Sequence, residues 1–162
     1  MNYRIEASHL TLDYTPETCA LTVRVAGSDI TWSWHTVPFL VRADQTSLAL
    51  TDSDCESHTF DRGTVRGVRA TYKNLRDSEG NPTPISVQTE VSLNQATGQL
   101  TAMACVLGDG KGELAALAYP PRMRFDAPEG HGYTVLPRMQ GAILPAGHDI
   151  KINDGIVFER GA

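Results

Sequence analysis

ISVQTEVSL, Ile85 to Leu93, is the stretch whose reading decides the fold. Ile85, Val87, Thr89, Val91 and Leu93 alternate with Ser86, Gln88, Glu90 and Ser92. A side-chain period of two places the first set on one face of a strand and the second on the other, so the segment predicts a half-buried β-strand. Asn94-Gln95-Ala96-Thr97-Gly98 comes next. It has the length of a hairpin loop, and Gly98 can take a positive φ because no Cβ obstructs it. The chain then returns through Leu100, Ala102, Ala104 and Val106, again on a single face.

The same grammar extends outward in both directions. Leu21, Val23 and Val25 alternate with Thr22 and Arg24, Gly27-Ser28-Asp29 supplies a tight turn, and Ile30-Thr31-Trp32-Ser33-Trp34 reads as the returning strand. Further strands are expected at Leu10 to Tyr14, Phe39 to Arg42, Ser47 to Leu50, Arg122 to Phe125, Tyr133 to Leu136, Ala142 to Leu144 and Ile156 to Phe158. Turn residues recur at roughly eight- to twelve-residue intervals, the spacing of a sandwich or barrel. The expectation is an all-β, antiparallel β-sandwich with little or no helix.

One segment competes with it. Arg62, Arg66, Arg69, Lys73 and Arg76 recur every three or four positions, which on a helix would form one basic stripe able to bind phosphate. Gly63 and Gly67 interrupt that segment, and Thr64, Val65, Val68, Thr71 and Tyr72 favour a pleated surface. The strand reading is preferred, with Val68, Ala70 and Tyr72 pointing inward.

The chain has 162 residues, enough for a single domain spanning 1–162. With 14 Lys and Arg against 19 Asp and Glu, its net charge of -5 offers no general attraction to nucleic acid or an anionic membrane. The N-terminus, MNYRIEASHL, lacks the apolar core of a signal peptide, so the cytoplasm is the default location. Cys19, Cys55 and Cys105 are odd in number and widely spaced, which fits structural free thiols better than a disulfide framework.

Candidate chemistry is sparse. Asp52, Asp54 and Glu56 alternate in a way that could offer oxygen ligands to calcium, but the glycine and distal glutamate of an EF-hand loop are missing. Cys55 and His58 could supply two zinc ligands, yet no companion pair stands at metal-site spacing. No metal or cofactor is expected. The chain has no G-x-S-x-G elbow, and Gly108-Asp109-Gly110-Lys111-Gly112 lacks the ending of a phosphate-binding loop. Trp32 and Trp34 share one face of their strand. Paired indoles can form a platform for a sugar ring or fill a core; with Ile30 beside them the core is preferred. His35 falls on the opposite face with Thr31 and Ser33. Trp32, Trp34 and His35 are the residues through which carbohydrate would be bound. In YTVLPRMQGAILPAGHD, Tyr133 to Asp149, Pro137 and Pro145 suit strand ends, Gly141 and Gly147 suit bends, and His148-Asp149 has no evident third catalytic partner.

Several phrases in order carry a resemblance: Ile30 to Trp34, Gly63 to Tyr72, Val91-Ser92-Leu93 through Thr97-Gly98-Gln99-Leu100, Tyr119-Pro120-Pro121-Arg122-Met123, and Leu136 to Pro145. Together they resemble the N-terminal galactose-mutarotase-like β-supersandwich that precedes the catalytic barrel in retaining glycoside hydrolases related to endo-α-N-acetylgalactosaminidase. The resemblance implies a non-catalytic sandwich that packs beside a glycosidase barrel and shapes its cleft, so the chain is expected to be a piece of a longer protein. The catalytic carboxylates of that family lie in the barrel, and no alternation of strands and helices follows Pro145, so no catalytic residue carries over. The chain alone is not expected to be an enzyme, and its expected partners are carbohydrate or an adjacent barrel. The alternatives are an independent carbohydrate-binding module, or a small mutarotase or epimerase. The latter would use histidines, but no motif assigns that role to His35, His58, His131 or His148.

Overall fold

The computed structural model describes residues 1–7, 9–34, 36–108, 114–126, 133–136 and 142–145. Among these the chain forms β1 (Tyr3–Glu6), β2 (Leu10–Thr15), a 3-10 turn (Pro16–Thr18), β3 (Ala20–Val25), β4 (Thr31–Trp34), β5 (Phe39–Arg42) and β6 (Ser47–Ala49). There follow β7 (Asp54–Arg62), β8 (Val65–Lys73), β9 (Ser86–Asn94), β10 (Leu100–Leu107), β11 (Leu114–Ala118), β12 (Met123–Asp126), β13 (Tyr133–Leu136) and β14 (Ala142–Pro145). No α-helix occurs among the described residues. The all-β expectation is met, with the strand at ISVQTEVSL in place. The predicted strand at Ile156 to Phe158 lies outside the described residues, as do Pro137, Gly141, Gly147, His148 and Asp149.

The chain divides into two compact units, Met1–Phe125 and Asp126–Ala162. In the second, β13 and β14 form an antiparallel hairpin with Tyr133 opposite Pro145 and Leu136 opposite Ala142. In the first, the strands form a five-stranded sheet in the order β1-β2-β3-β4-β12, a four-stranded sheet β10-β9-β8-β7 and a three-stranded sheet β11-β5-β6. The segment β4–β5 meets the segment β11–β12 twice, once in each of the five- and three-stranded sheets, so these two sheets form one layer that is interrupted between Trp34 and Phe39.

The four-stranded sheet is the opposite layer, and its inner face serves both. Val68, Val91 and Leu93 pack with Ile5, Leu12, Tyr14, Leu21 and Val23 of the five-stranded sheet. Ala70, Tyr72, Ile85 and Val87 pack with Cys19, Leu40, Leu48, Leu50 and Leu75 at the other end. Full burial of each such Leu, Ile or Val side chain contributes about 1.5–3 kcal/mol over leaving it in water. At one open edge Tyr3 ties the layers together, its hydroxyl 3.1 Å from the Ser57 carbonyl and 3.0 Å from Ser57 Oγ.

The basic segment folds as a strand. Arg62 pairs with Val65 across a two-residue turn in which Gly63 has φ +71°, the geometry that lets a hairpin keep its twist. Val68, Ala70 and Tyr72 are fully buried. Alternation also dissolves the basic stripe, because Arg66 falls on the parity opposite to Arg69 and Lys73. The loop 94–98 is the expected hairpin: Gly98 has φ +71° and donates to the Asn94 carbonyl at 2.7 Å, while Asn94 Oδ1 accepts from the N–H of Ala96 at 2.9 Å.

Candidate functional site

β4 carries the tryptophans, and its register fixes their direction. Trp32 stands opposite Val23, which is buried, and direct cross-strand partners share a face, so Trp32 points toward the sandwich interior. Trp34 follows on the same side. Both indoles are half-buried and pack against the core beneath the five-stranded sheet. Trp34 is held edge-on between two phenols, 5.6 Å from the Tyr14 ring centroid at 76° and 5.5 Å from that of Tyr119 at 80°. His35, the third predicted binding residue, lies outside the described residues.

Beneath this stack the two core clusters meet in a row of hydroxyls. The Tyr72 hydroxyl donates to the Pro16 carbonyl at 3.1 Å, so the Tyr14 hydroxyl, 3.1 Å away, donates to Tyr72. The Cys19 thiol lies 3.5 Å from both the Tyr72 oxygen and the Pro16 carbonyl. Burial pushes Tyr14 up to about 12 and raises Tyr72 and Tyr119 well beyond the usual phenol range. It also raises Cys19 and lifts Cys55 to about 11. These groups stay protonated at neutral pH and offer neither a thiolate nucleophile nor a phenolate base.

The outer face of the four-stranded sheet is charged and internally paired. Arg69 donates to Glu90 at 2.9 Å and Arg62 to the same carboxylate at 3.4 Å. Both guanidinium groups also lie near the Phe60 ring, at 4.6 Å for Arg62 and 5.8 Å for Arg69. Phe60 itself stands opposite Gly67, whose missing side chain makes room for the ring: a Cβ there would lie 2.4 Å from Phe60 Cζ and 2.7 Å from Ser92 Cβ. A groove of about 800 Å3 opens beside this ring between β1 and the β7–β8 hairpin, lined by Arg4, Glu6, Phe60, Asp61, Arg66 and Gly67. Its charges also pair among themselves, with Arg66 2.7 Å from Asp61 and Arg4 3.3 Å from Glu6.

The carboxylates near Cys55 are spoken for as well: Glu56 accepts from Lys73 and Asp54 from Asn74, each at 2.7 Å. Among the described residues no group of three or more His, Cys, Asp and Glu is placed to hold a metal ion. Among the described residues, the acids whose ionisation is displaced move downward. Glu17 is held low by the N-terminal amine, Asp44 by the Thr46 hydroxyl and Asp77 by the Asn81 N–H.

The outer face of the three-stranded sheet is of another kind. Ala118, Phe39 and Ala49 form one cross-strand row, and Ala116, Val41 and Ser47 the next. None is charged. Phe39 is 39% exposed and Val37, just before β5, is 40% exposed. Sequence reasoning placed the strand but missed this face, because a row of residues from three strands is visible only once their order is known. It missed the row of hydroxyls for the same reason, Tyr14 and Tyr72 being far apart in the chain.

No protein-family model matches the chain, and no curated protein matches it. Solved structures do. The α-N-acetylgalactosaminidase NagBb of Bifidobacterium bifidum in its GalNAc complex matches over 88% of this chain at 20% identity with a TM-score of 0.69. Its Gal-NHAc-DNJ complex matches over the same share and at the same identity with a TM-score of 0.70, and the ligand-free form at 19% identity with 0.66. The matched region is 22% of NagBb in both complexes, so this chain spans about a fifth of the length of the protein it resembles. The chain thus has the fold of one β-sandwich portion of a much longer glycoside hydrolase.

Proposed function

We propose that this chain is a non-catalytic β-sandwich domain of a carbohydrate-active protein, packing beside a glycosidase catalytic domain and shaping its cleft. The observation that carries the reading is the fold match, which takes in 88% of this chain and only 22% of NagBb. The uncharged outer face of β11-β5-β6, with Phe39 and Val37 exposed, supports it as a surface suited to another domain.

The test pairs the flanking reading frame with an assay. Several hundred adjoining residues with alternating strands and helices, together with hydrolysis of an aryl α-N-acetylgalactosaminide by the whole protein and none by residues 1–162, are the expected results. Turnover by residues 1–162 alone, or a reading frame without a catalytic domain, overturns the proposal.

A further inference from the structure

The two edges of the four-stranded sheet β10-β9-β8-β7 are built differently. β7 carries Asp54, Glu56, Asp61 and Arg62, and the Tyr3 hydroxyl reaches across to its Ser57 carbonyl. Charges and covering side chains are devices that keep an edge strand from pairing with another chain. The sequence of β10, LTAMACVL, contains no charge, no proline and no glycine, and among the described residues no strand lies beyond it. The open edge also shows in burial. On β9 the inward residues Val87, Thr89, Val91 and Leu93 are at most 1% exposed, whereas Ala102, Ala104 and Val106, which point inward from β10, are only half-buried.

The Asn94 N–H donates to the Gln99 carbonyl at 2.9 Å, and the Gln95 N–H to the Thr64 carbonyl at 2.7 Å. These two bonds set the alternation along the sheet. Ser92, Glu90, Gln88 and Ser86 turn their backbone toward Thr101, Met103, Cys105 and Leu107, and the β9 residues between them turn toward β8. The N–H and C=O groups of Leu100, Ala102, Ala104 and Val106 therefore face away from β9, along the open edge. Met103, midway along this run, stands opposite Glu90 on the outer face and is 52% exposed.

We propose that β10 is a dimerisation edge that joins β10 of a second copy, antiparallel, across a two-fold axis at Met103. In this register Leu100 faces Val106 of the second copy and Ala102 faces its Ala104, and symmetry repeats both pairs. Every outward backbone group is then used, in pairs that exchange two hydrogen bonds each. Moving the axis to Ala102 or Ala104 leaves Val106 or Leu100 without a partner in the strand. At the positions between, Met103 meets its own copy and Thr101 meets Cys105, and no like charges are brought together. An uncharged strand that complements itself along its whole open edge selects a second copy as occupant. This edge lies in the layer opposite Phe39 and is separate from the apolar face of β11-β5-β6.

Sedimentation equilibrium of residues 1–162 at high micromolar concentration is expected to show twice the mass of the chain. Ala104→Pro removes an N–H that makes no bond to β9, and by symmetry removes it twice at the interface. Its dimer is expected to dissociate about tenfold more readily, or beyond, with near-UV circular dichroism unchanged. Met103→Lys and Met103→Glu alter an exposed side chain, and each is expected to sediment as a monomer. An equimolar mixture of the two is expected to recover the dimer, a rescue that requires the two side chains to face each other. A monomeric parent chain overturns the proposal, including the case in which a longer protein supplies its own strand to this edge. A dimer that survives both charge variants also overturns it, by placing the contact on another surface.

Discussion

The outer faces of the four-stranded and three-stranded sheets are generated by the same alternation and end as opposite surfaces. On the first, Phe60, Gly67, Arg69, Glu90 and Arg62 form one cluster: the ring covers the glycine, two guanidinium groups cover the ring, and one carboxylate joins them. On the second, Phe39 stands between Ala118 and Ala49 with no charge in the row. The charged face has its guanidinium and carboxylate groups joined to one another, with Arg69 Nε left buried without a partner. The apolar face leaves an aromatic ring in water whose burial would be favourable. The difference teaches where a partner would gain most, and it can be tested from both sides.

The bluntest way to erase the contrast is to remove the interior that both sheets share. Tyr14, held near 12 by burial, binds its proton more tightly folded than unfolded, as do Cys55 at about 11 and, further still, Tyr72. For groups raised in this way the contribution to stability is complete below the unfolded pKa and is lost as pH rises toward the folded one. The fold is therefore expected to hold at neutral pH and to be lost between about pH 9, where an unfolded thiol begins to ionise, and pH 12. Far-UV and near-UV circular dichroism followed through an alkaline titration should show one cooperative loss in that window. Retention of near-UV signal past pH 12 would contradict the buried hydroxyl row.

Next in size is Gly67→Ala. The new Cβ meets Phe60 Cζ, which can swing aside, and Ser92 Cβ, which is fixed to a central strand. Overpacking of this kind costs about 1–3 kcal/mol, and displacing Phe60 also undoes both cation–π contacts. Denaturant unfolding is expected to show the midpoint lowered at an unchanged slope.

How much of this was legible in the sequence depends on the distance over which each feature is written. ISVQTEVSL declared its strand and its two faces because alternation is local, and Val68, Ala70 and Tyr72 did the same in β8 against a competing helical spacing of arginines. The turn at 94–98 was legible because Gly98 does something there that other residues do at a cost. Thr89 was legible as inward-facing but not as a polar exception, since a period-two count treats Thr as one more strand-former. Tyr14, Tyr72 and Tyr119 could not be joined without knowing that β2 lies across from β8 and that β11 ends beside Trp34. The apolar character of Phe39 is plain in the sequence. Its exposure is not, because it follows from Ala118 and Ala49 being its neighbours, and those pairings are set by strand order.

A smaller effect is expected on the charged face from Glu90→Gln. Glu90 is largely covered, with 12% of its side chain exposed, while its partners Arg69 and Arg62 are 29% and 56% exposed. Solvent screens such a pair, so its loss should cost about 1 kcal/mol. The cost should shrink as salt is added, because part of it is Coulombic. A salt-independent loss would mean that the side chain acts by packing instead.

The smallest effect on the chain itself is expected where the functional consequence is greatest. Phe39→Asp replaces a ring that is 39% exposed with a charge in a row that carries none, so the stability of residues 1–162 should change by no more than about 0.5 kcal/mol. The isolated chain should, if anything, associate less at high concentration. In the full-length protein the same substitution would place a carboxylate against the proposed neighbouring domain, where an unpaired charge is strongly disfavoured. Limited proteolysis between the domains should then quicken, and hydrolysis of an aryl α-N-acetylgalactosaminide should fall. The matched control is Thr71→Asp on the outer face of β8, whose surroundings are already polar and which should leave both readings alone. Equal effects from the two substitutions would remove the distinction between the faces. An effect confined to Phe39→Asp would locate the docking surface on β11-β5-β6, through a residue whose loss the isolated domain hardly feels.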